Sequence, residues 1–151
     1  MDVLQRLIQD HRITEQRFAE IEKTSKKEAE RRELLFAKLR EGLEVYEVFE
    51  EEYLYPEIDE VFSAKAVVAE ALDEHVEFDA ILQEISEILA NKHEWLEKVC
   101  ELKDMVRGHA RKEEEKMFLD QLDRVGHNLW FHVIARTLLI SVKARKSTPP
   151  Y

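Results

Sequence analysis

The chain has 151 residues, 44% hydrophobic and 37% charged, a length that suits one compact domain spanning 1–151. Its formal net charge of −10 argues against nucleic-acid binding, which needs a basic surface. A single cysteine, Cys100, excludes an internal disulfide framework and fits a reducing compartment, so a cytoplasmic location is expected.

Only three Gly and three Pro interrupt a chain rich in Glu, Lys, Leu and Ala, which reads as long helices. No secretory signal is expected, because Asp2, Gln5, Arg6, Gln9 and Asp10 break any apolar N-terminal run. The first predicted helix, about Asp2 to Lys23, puts Leu4, Leu7, His11, Phe18 and Ile21 on one stripe. Thr24-Ser25 followed by Glu28 is a plausible cap for the next helix. The basic cluster from Lys26-Lys27 to Arg31-Arg32 alternates with glutamates and reads as a solvated face of paired charges.

The second helix carries Leu35, Leu39, Leu43, Tyr46, Glu50 and Leu54 on its stripe, and Pro56 is expected to stop it. A third, roughly Val61 to Asn91, aligns Val68, Leu72, His75, Asp79, Leu82 and Leu89. A fourth, about Glu94 to Phe118, aligns Trp95, Val99, Leu102, Val106, His109 and Glu113. Four such helices with short connections fold most simply as an all-α, up-down-up-down bundle over about 2–118. The tail, about 119–145, reads as an additional C-terminal helix with a break near Gly126. Its apolar run, Leu129 to Val142, is interrupted by His132 and Arg136 and is too short to span a bilayer.

Polar groups break these stripes where Leu would be the cheap choice. His11, Glu50, His75, His109 and Glu113 all fall on core-facing positions, and an ionised carboxylate buried there demands a partner. The two halves of the chain also repeat each other. Asp10-His11 corresponds to Glu74-His75, Glu50-Glu51-Glu52 to Glu113-Glu114-Glu115, and Tyr46 to His109. For one histidine alone, a satisfied core polar group is the simpler explanation; recurrence of the same residue types at matching spacing in both halves favours a ligand set. Residues at i and i+4 lie one turn apart on a helix and can reach one metal. Mixed nitrogen and oxygen donors favour iron or manganese over a thiolate-seeking metal.

The constellation resembles the hemerythrin-like family of HHE cation-binding domains. That pattern has a helix-one His, a His-x-x-x-Glu on helix two, a helix-three His and a second His-x-x-x-Glu on helix four. His11, Glu50, His75, His109 and Glu113 match it, and Tyr55-Pro56 resembles the aromatic-Pro that closes the family's second helix. The resemblance covers about residues 3 to 118. It implies a non-haem di-iron centre with bridging carboxylates, and activities that include oxygen binding or sensing, peroxide turnover and responses to nitric oxide or iron.

Two positions depart from the family pattern. Tyr46 stands where the family has the helix-two His, and Asp79 stands where oxygen-carrying members have another His. The candidate ligand set is therefore His11, Tyr46, Glu50, His75, His109 and Glu113, with a phenol in place of one imidazole. This argues against a reversible oxygen carrier. The leading expectation is a di-iron protein, with manganese possible, that reacts with or senses oxygen, peroxide or nitric oxide. The alternative is a non-catalytic metal-stabilised helical module, or an iron buffer, with the tail helix mediating a homodimer. Glu51, Glu52, Glu114 and Glu115 read as solvated faces, Asp10 and Glu74 as surface residues, and Tyr53 and Tyr55 as packing at the bundle end. Glu114 stays open as a ligand in place of Glu113 if the helical register slips by one residue.

Overall fold

A computed structural model describes residues 3–62 and 65–118. The described residues are almost wholly helical and hold no strand. Helix α1 spans Val3–Glu22, and a short 3-10 turn over Lys26–Glu28 leads into α2, Ala29–Phe49. The chain stays helical through a π-helical stretch, Glu50–Leu54, into α3, Tyr55–Phe62. Helix α4 spans Lys65–Glu87; α5, His93–Lys112, runs on through a second π-helical stretch, Glu113–Phe118. These segments form four rods: α1; α2 with α3; α4; and α5 with its π extension. Rod contacts of α1 with α2, α3 with α4, α4 with α5 and α5 with α1 close the bundle. The expected tail helix lies outside the described residues.

At the α1–α2 connection, the Glu28 carboxylate accepts the Ser25 backbone N–H at 2.8 Å, as the cap reading required. The basic cluster behaves differently from expectation. Arg31 is exposed and pairs with Glu28, but Arg32 is only 2% exposed. Its guanidinium donates to Thr24 Oγ1 at 2.9 Å, to the Thr24 carbonyl at 3.1 Å and to the Ala90 carbonyl at 2.8 Å. It also lies 5.4 Å from the Trp95 ring centroid. One arginine thus ties the α1–α2 turn to the α4–α5 turn, and three acceptors satisfy a charge that would otherwise be costly to bury.

Pro56 does not stop the second rod. Proline removes one N–H and crowds the carbonyl four residues back, which normally kinks an α-helix. Here the preceding turn widens: the Tyr55 N–H bonds to the Glu50 carbonyl five residues earlier. That π turn takes up the disruption and lets the helix run to Phe62, so Val61 and Phe62 belong to the second rod rather than the third.

The buried stripe of α4 is Ala71, His75, Phe78, Leu82 and Ile85. Leu72, Asp79 and Leu89, expected on it, are exposed. Rotating the helix to bury Phe78 gains a large aromatic surface and keeps the Asp79 carboxylate in water, and both effects favour the observed face.

The core is divided. One cluster gathers Phe18, Leu39, Leu43, Phe78, Leu82, Trp95, Val99 and Leu102; the other gathers Leu4, Leu7, Leu54, Tyr55, Ile58 and Ala71. Along the first three rods the sequence steps from one cluster to the other across a polar residue, His11, Glu50 and His75, and on the fourth His109 follows the residues of the first cluster.

Candidate metal centre

The polar layer between the two clusters holds His11, Glu50, His75, His109 and Glu113, none more than 6% exposed. Each imidazole turns Nε2 inwards. His11 Nε2 lies 3.2 Å from Glu113 Oε2, and His75 Nε2 lies 3.1 Å from Glu50 Oε2. His75 and His109 bring their Nε2 atoms within 3.2 Å of each other. His109 Nε2 lies 3.4 Å from Glu113 Oε1 and 3.7 Å from Glu50 Oε2. Glu113 therefore presents one oxygen towards His11 and the other towards His109.

Each outward Nδ1 meets a carboxylate on a neighbouring rod. His11 Nδ1 donates to Glu114 at 2.8 Å, His75 Nδ1 to Glu51 at 2.7 Å and His109 Nδ1 to Glu74 at 2.6 Å. Such a bond fixes the tautomer, orients the ring and makes Nε2 a stronger donor. Glu51, Glu74 and Glu114 are therefore not simply solvated or surface residues, as the sequence suggested. Glu52 and Glu115 do remain exposed. Glu113 is the buried member of its triplet, and Glu114 is the group that holds His11.

Two tyrosines reach the same layer. The Tyr46 hydroxyl touches His11 Nε2 and donates to Glu113 Oε2 at 3.3 Å. Tyr55 was expected to pack at the bundle end. Its hydroxyl instead donates to Glu113 Oε1 at 2.5 Å, with Glu50 Oε2 the alternative acceptor at 3.0 Å, and lies 3.4 Å from both His75 Nε2 and His109 Nε2. The repeat could have hinted at this, since Tyr55 and Phe118 occupy matching places beyond the acidic triplets. All six sequence-picked residues thus come together, and Tyr55 joins them. Another acidic group went unnoticed: Glu47 is 6% exposed, with Oε1 lacking any hydrogen-bond partner among the described residues.

The electrostatics follow from burial against pairing. Burial opposes charge on His109, but the Glu113 and Glu50 carboxylates outweigh it and raise the imidazole to about 11. His11 and His75 are raised in the same way, against burial, by Glu113 with Glu114 and by Glu50 with Glu51. Burial likewise opposes charge on Glu113, yet hydrogen bonds from His109 and His11 hold it well below the usual carboxylate range. Burial, then the charges of Glu50 and Glu113, push both tyrosine hydroxyls far above the ordinary phenol range. Burial pushes Glu47 up to about 7.

Two groups of three buried ligand atoms each lie within 4.8 Å of one another: Glu50, His75 and His109, and His11, Glu50 and Glu113. They share Glu50. The chemistry fits a pair of neighbouring cations: imidazole nitrogens with anchored Nδ1, carboxylates between them, and no thiolate. Glu50 Oε1 is also buried without a hydrogen-bond partner among the described residues, an oxygen that a cation would satisfy. A cavity of about 450 Å³ reaches the layer from the α1–α5 side, touching His11, Tyr46, His75 and His109 at its inner end. Cys100 stands apart, its thiol facing Glu22 at 3.7 Å.

A four-rod bundle with carboxylates and histidines gathered in one central layer belongs to the helical cation-binding proteins. The hemerythrin HHE cation-binding domain model matches residues 2–119, and the chain belongs to that family. No curated protein and no solved structure gives a match. No described helix is long and apolar enough to cross a membrane.

Proposed function

We propose that the chain holds a di-iron centre, with manganese as the alternative metal, and that the centre reacts with or senses oxygen, peroxide or nitric oxide. One observation carries the reading: three inward Nε2 atoms and two buried carboxylates converge in one layer, in two groups that share Glu50. His75 and His109 would serve one position and His11, Tyr46 and Glu113 the other, with Glu50 shared between them. When bound, the iron pair supplies redox chemistry and open coordination positions for a small molecule.

The chain's own groups do the rest. Glu51, Glu74 and Glu114 hold the three imidazoles with Nε2 facing the layer. Leu43 and Phe78 on one side, and Leu7 and Leu54 on the other, close the layer off with apolar surface. The 450 Å³ cavity gives a small molecule a route to it. Tyr46 and Tyr55 keep hydroxyl protons available to donate at the centre, since burial and the adjacent carboxylates disfavour their phenolates in the metal-free state. A ligand set with a phenol where a His would stand favours a sensing or reactive role over reversible oxygen carriage. A cytoplasmic location fits the lone half-buried cysteine. The alternative of a non-catalytic module rests on the tail, which lies outside the described residues.

Elemental analysis of protein grown with ample iron tests the reading. Close to two iron or manganese ions per chain are expected, with a visible spectrum that changes on adding peroxide or nitric oxide. A chain that folds fully and takes up no transition metal on reconstitution sinks it.

A further inference from the structure

Glu47 follows Tyr46 directly and precedes Glu50 by three residues, so it lies one helical turn from Glu50 on the same side of the second rod. Its side chain is 6% exposed, and Oε1 is buried with no hydrogen-bond partner among the described residues. Glu50 Oε1, one turn further on, is in the same condition. Two buried carboxylate oxygens without partners on one helix face are costly unless something positive sits against them.

The surroundings offer little from the protein itself. Of the charged groups that act on Glu47, His75 on α4 attracts it, while Asp79 on α4 and Glu50 and Glu51 on its own rod repel it. Glu47 lines the same cavity as His75 and His109, the two imidazoles of the group that includes Glu50. That group has three protein donors, whereas the other gains a further oxygen from Tyr46 beside His11 and Glu113.

We propose that Glu47 is a further protein ligand, completing the metal position formed by Glu50, His75 and His109. The assignment rests on the di-metal reading. It makes the two positions chemically unequal: one with two imidazoles and two carboxylates, the other with one imidazole, a phenol and two carboxylates, Glu50 counting in both. Metal then loads in two separable steps, and the step lost with Glu47 is the one at His75 and His109.

The test uses the full chain with Glu47→Gln and Glu47→Leu, titrated with Mn(II) alone, and with Fe(II) alone without oxygen, against a competing chelator. Thermal melts are recorded with and without metal. Wild type should bind two ions, and both variants should keep one while the other weakens by at least about tenfold. In the metal-free state Glu47→Leu should melt at or above the wild-type temperature, because a buried unpartnered carboxylate is gone; its metal-dependent rise in melting temperature should shrink. A merely structural Glu47 would instead lower the metal-free melting temperature and leave both affinities unchanged. Wild type binding two ions while both variants bind the same two equally tightly overturns this assignment alone. Wild type binding none overturns the di-metal reading beneath it.

Discussion

Replacing Glu74 with Ala removes the carboxylate that orients His109 and leaves the proposed ligands themselves in place. Its Oε2 accepts from His109 Nδ1 at 2.6 Å, and its side chain is 20% exposed while that of His109 is 3% exposed. The bond is charge-assisted and shielded from water, so its loss releases the imidazole's orientation and weakens Nε2 as a donor. Loss of such a partner costs on the order of 10- to 100-fold in metal affinity. That is about 1.4 to 2.7 kcal/mol at about 1.36 kcal/mol per tenfold. The metal-free protein should also lose about 1 to 3 kcal/mol, since Nδ1 is left buried without an acceptor. Glu51 holds His75 in the same manner but is 42% exposed, so water can replace it and Glu51→Ala should cost less. Chelator competition with Fe(II) or Mn(II) measures the affinities, with Glu115→Ala, an exposed neighbour in the second triplet, as control. If Glu74→Ala and Glu115→Ala bind metal equally well, the orienting role is refuted.

Two further substitution sets probe the layer itself. Glu50→Ala or Glu113→Ala should cut metal occupancy far below that of Glu52→Ala or Glu115→Ala, since the first pair is buried and the second exposed; equal metal content in all four variants would contradict the site. Tyr46→Phe removes the hydroxyl that touches His11 Nε2 and Glu113. If that oxygen binds ferric iron, a phenolate-to-iron absorption band should vanish while iron stays bound, and an unchanged spectrum and peroxide reactivity would reduce Tyr46 to packing.

The buried polar layer was legible in the sequence because helical periodicity and the internal repeat point to the same five residues. Each of these alone would be an ordinary buried polar group. What the sequence hid were the groups one residue away. A helix turns about 100° per residue, so Glu51, Glu74 and Glu114 leave the inward stripe and look solvated. In the bundle that direction is the gap between rods, and each faces an imidazole on a neighbour. The repeat did contain the signal. Glu51 holding His75 and Glu114 holding His11 are the same interaction in the two halves. For Asp10, the counterpart of Glu74, the residue matching His109 is Tyr46 rather than an imidazole, and Asp10 pairs with Arg6 at 3.3 Å. The Pro56 and Asp79 expectations failed for another reason. Both applied local rules where tertiary packing decides: a π turn absorbs the proline, and Phe78 outcompetes Asp79 for the core. Each buried Glu of the repeat, Glu50 and Glu113, also opens a π-helical stretch, a widening that single-residue propensities do not encode.

Arg32 lets the bundle's stability be separated from its site. Glu50 lies 18 residues further along a continuous helix, about 27 Å away at about 1.5 Å per residue. Arg32→Ala deletes three hydrogen bonds from a charged donor and leaves the Thr24 and Ala90 carbonyls in a region that is 6% and 3% exposed. A buried acceptor without a partner costs about 1 to 3 kcal/mol. Because all three acceptors, the two carbonyls and Thr24 Oγ1, sit at turns that water can reach after a small shift, the low end applies to each, and the total is about 3 kcal/mol. For a chain of this size that lowers the melting temperature by about 6 to 12 °C. Arg32→Met keeps an unbranched apolar stem against Trp95 and should lose less. Metal affinity should stay at the wild-type value in both variants, because no contact of Arg32 reaches the imidazoles. Thermal melts and chelator competition on the same samples read the two quantities independently. If Arg32→Ala weakens metal binding as much as Glu50→Ala does, the turn clamp and the buried polar layer are one cooperative unit, and the division of the core into independent halves is wrong.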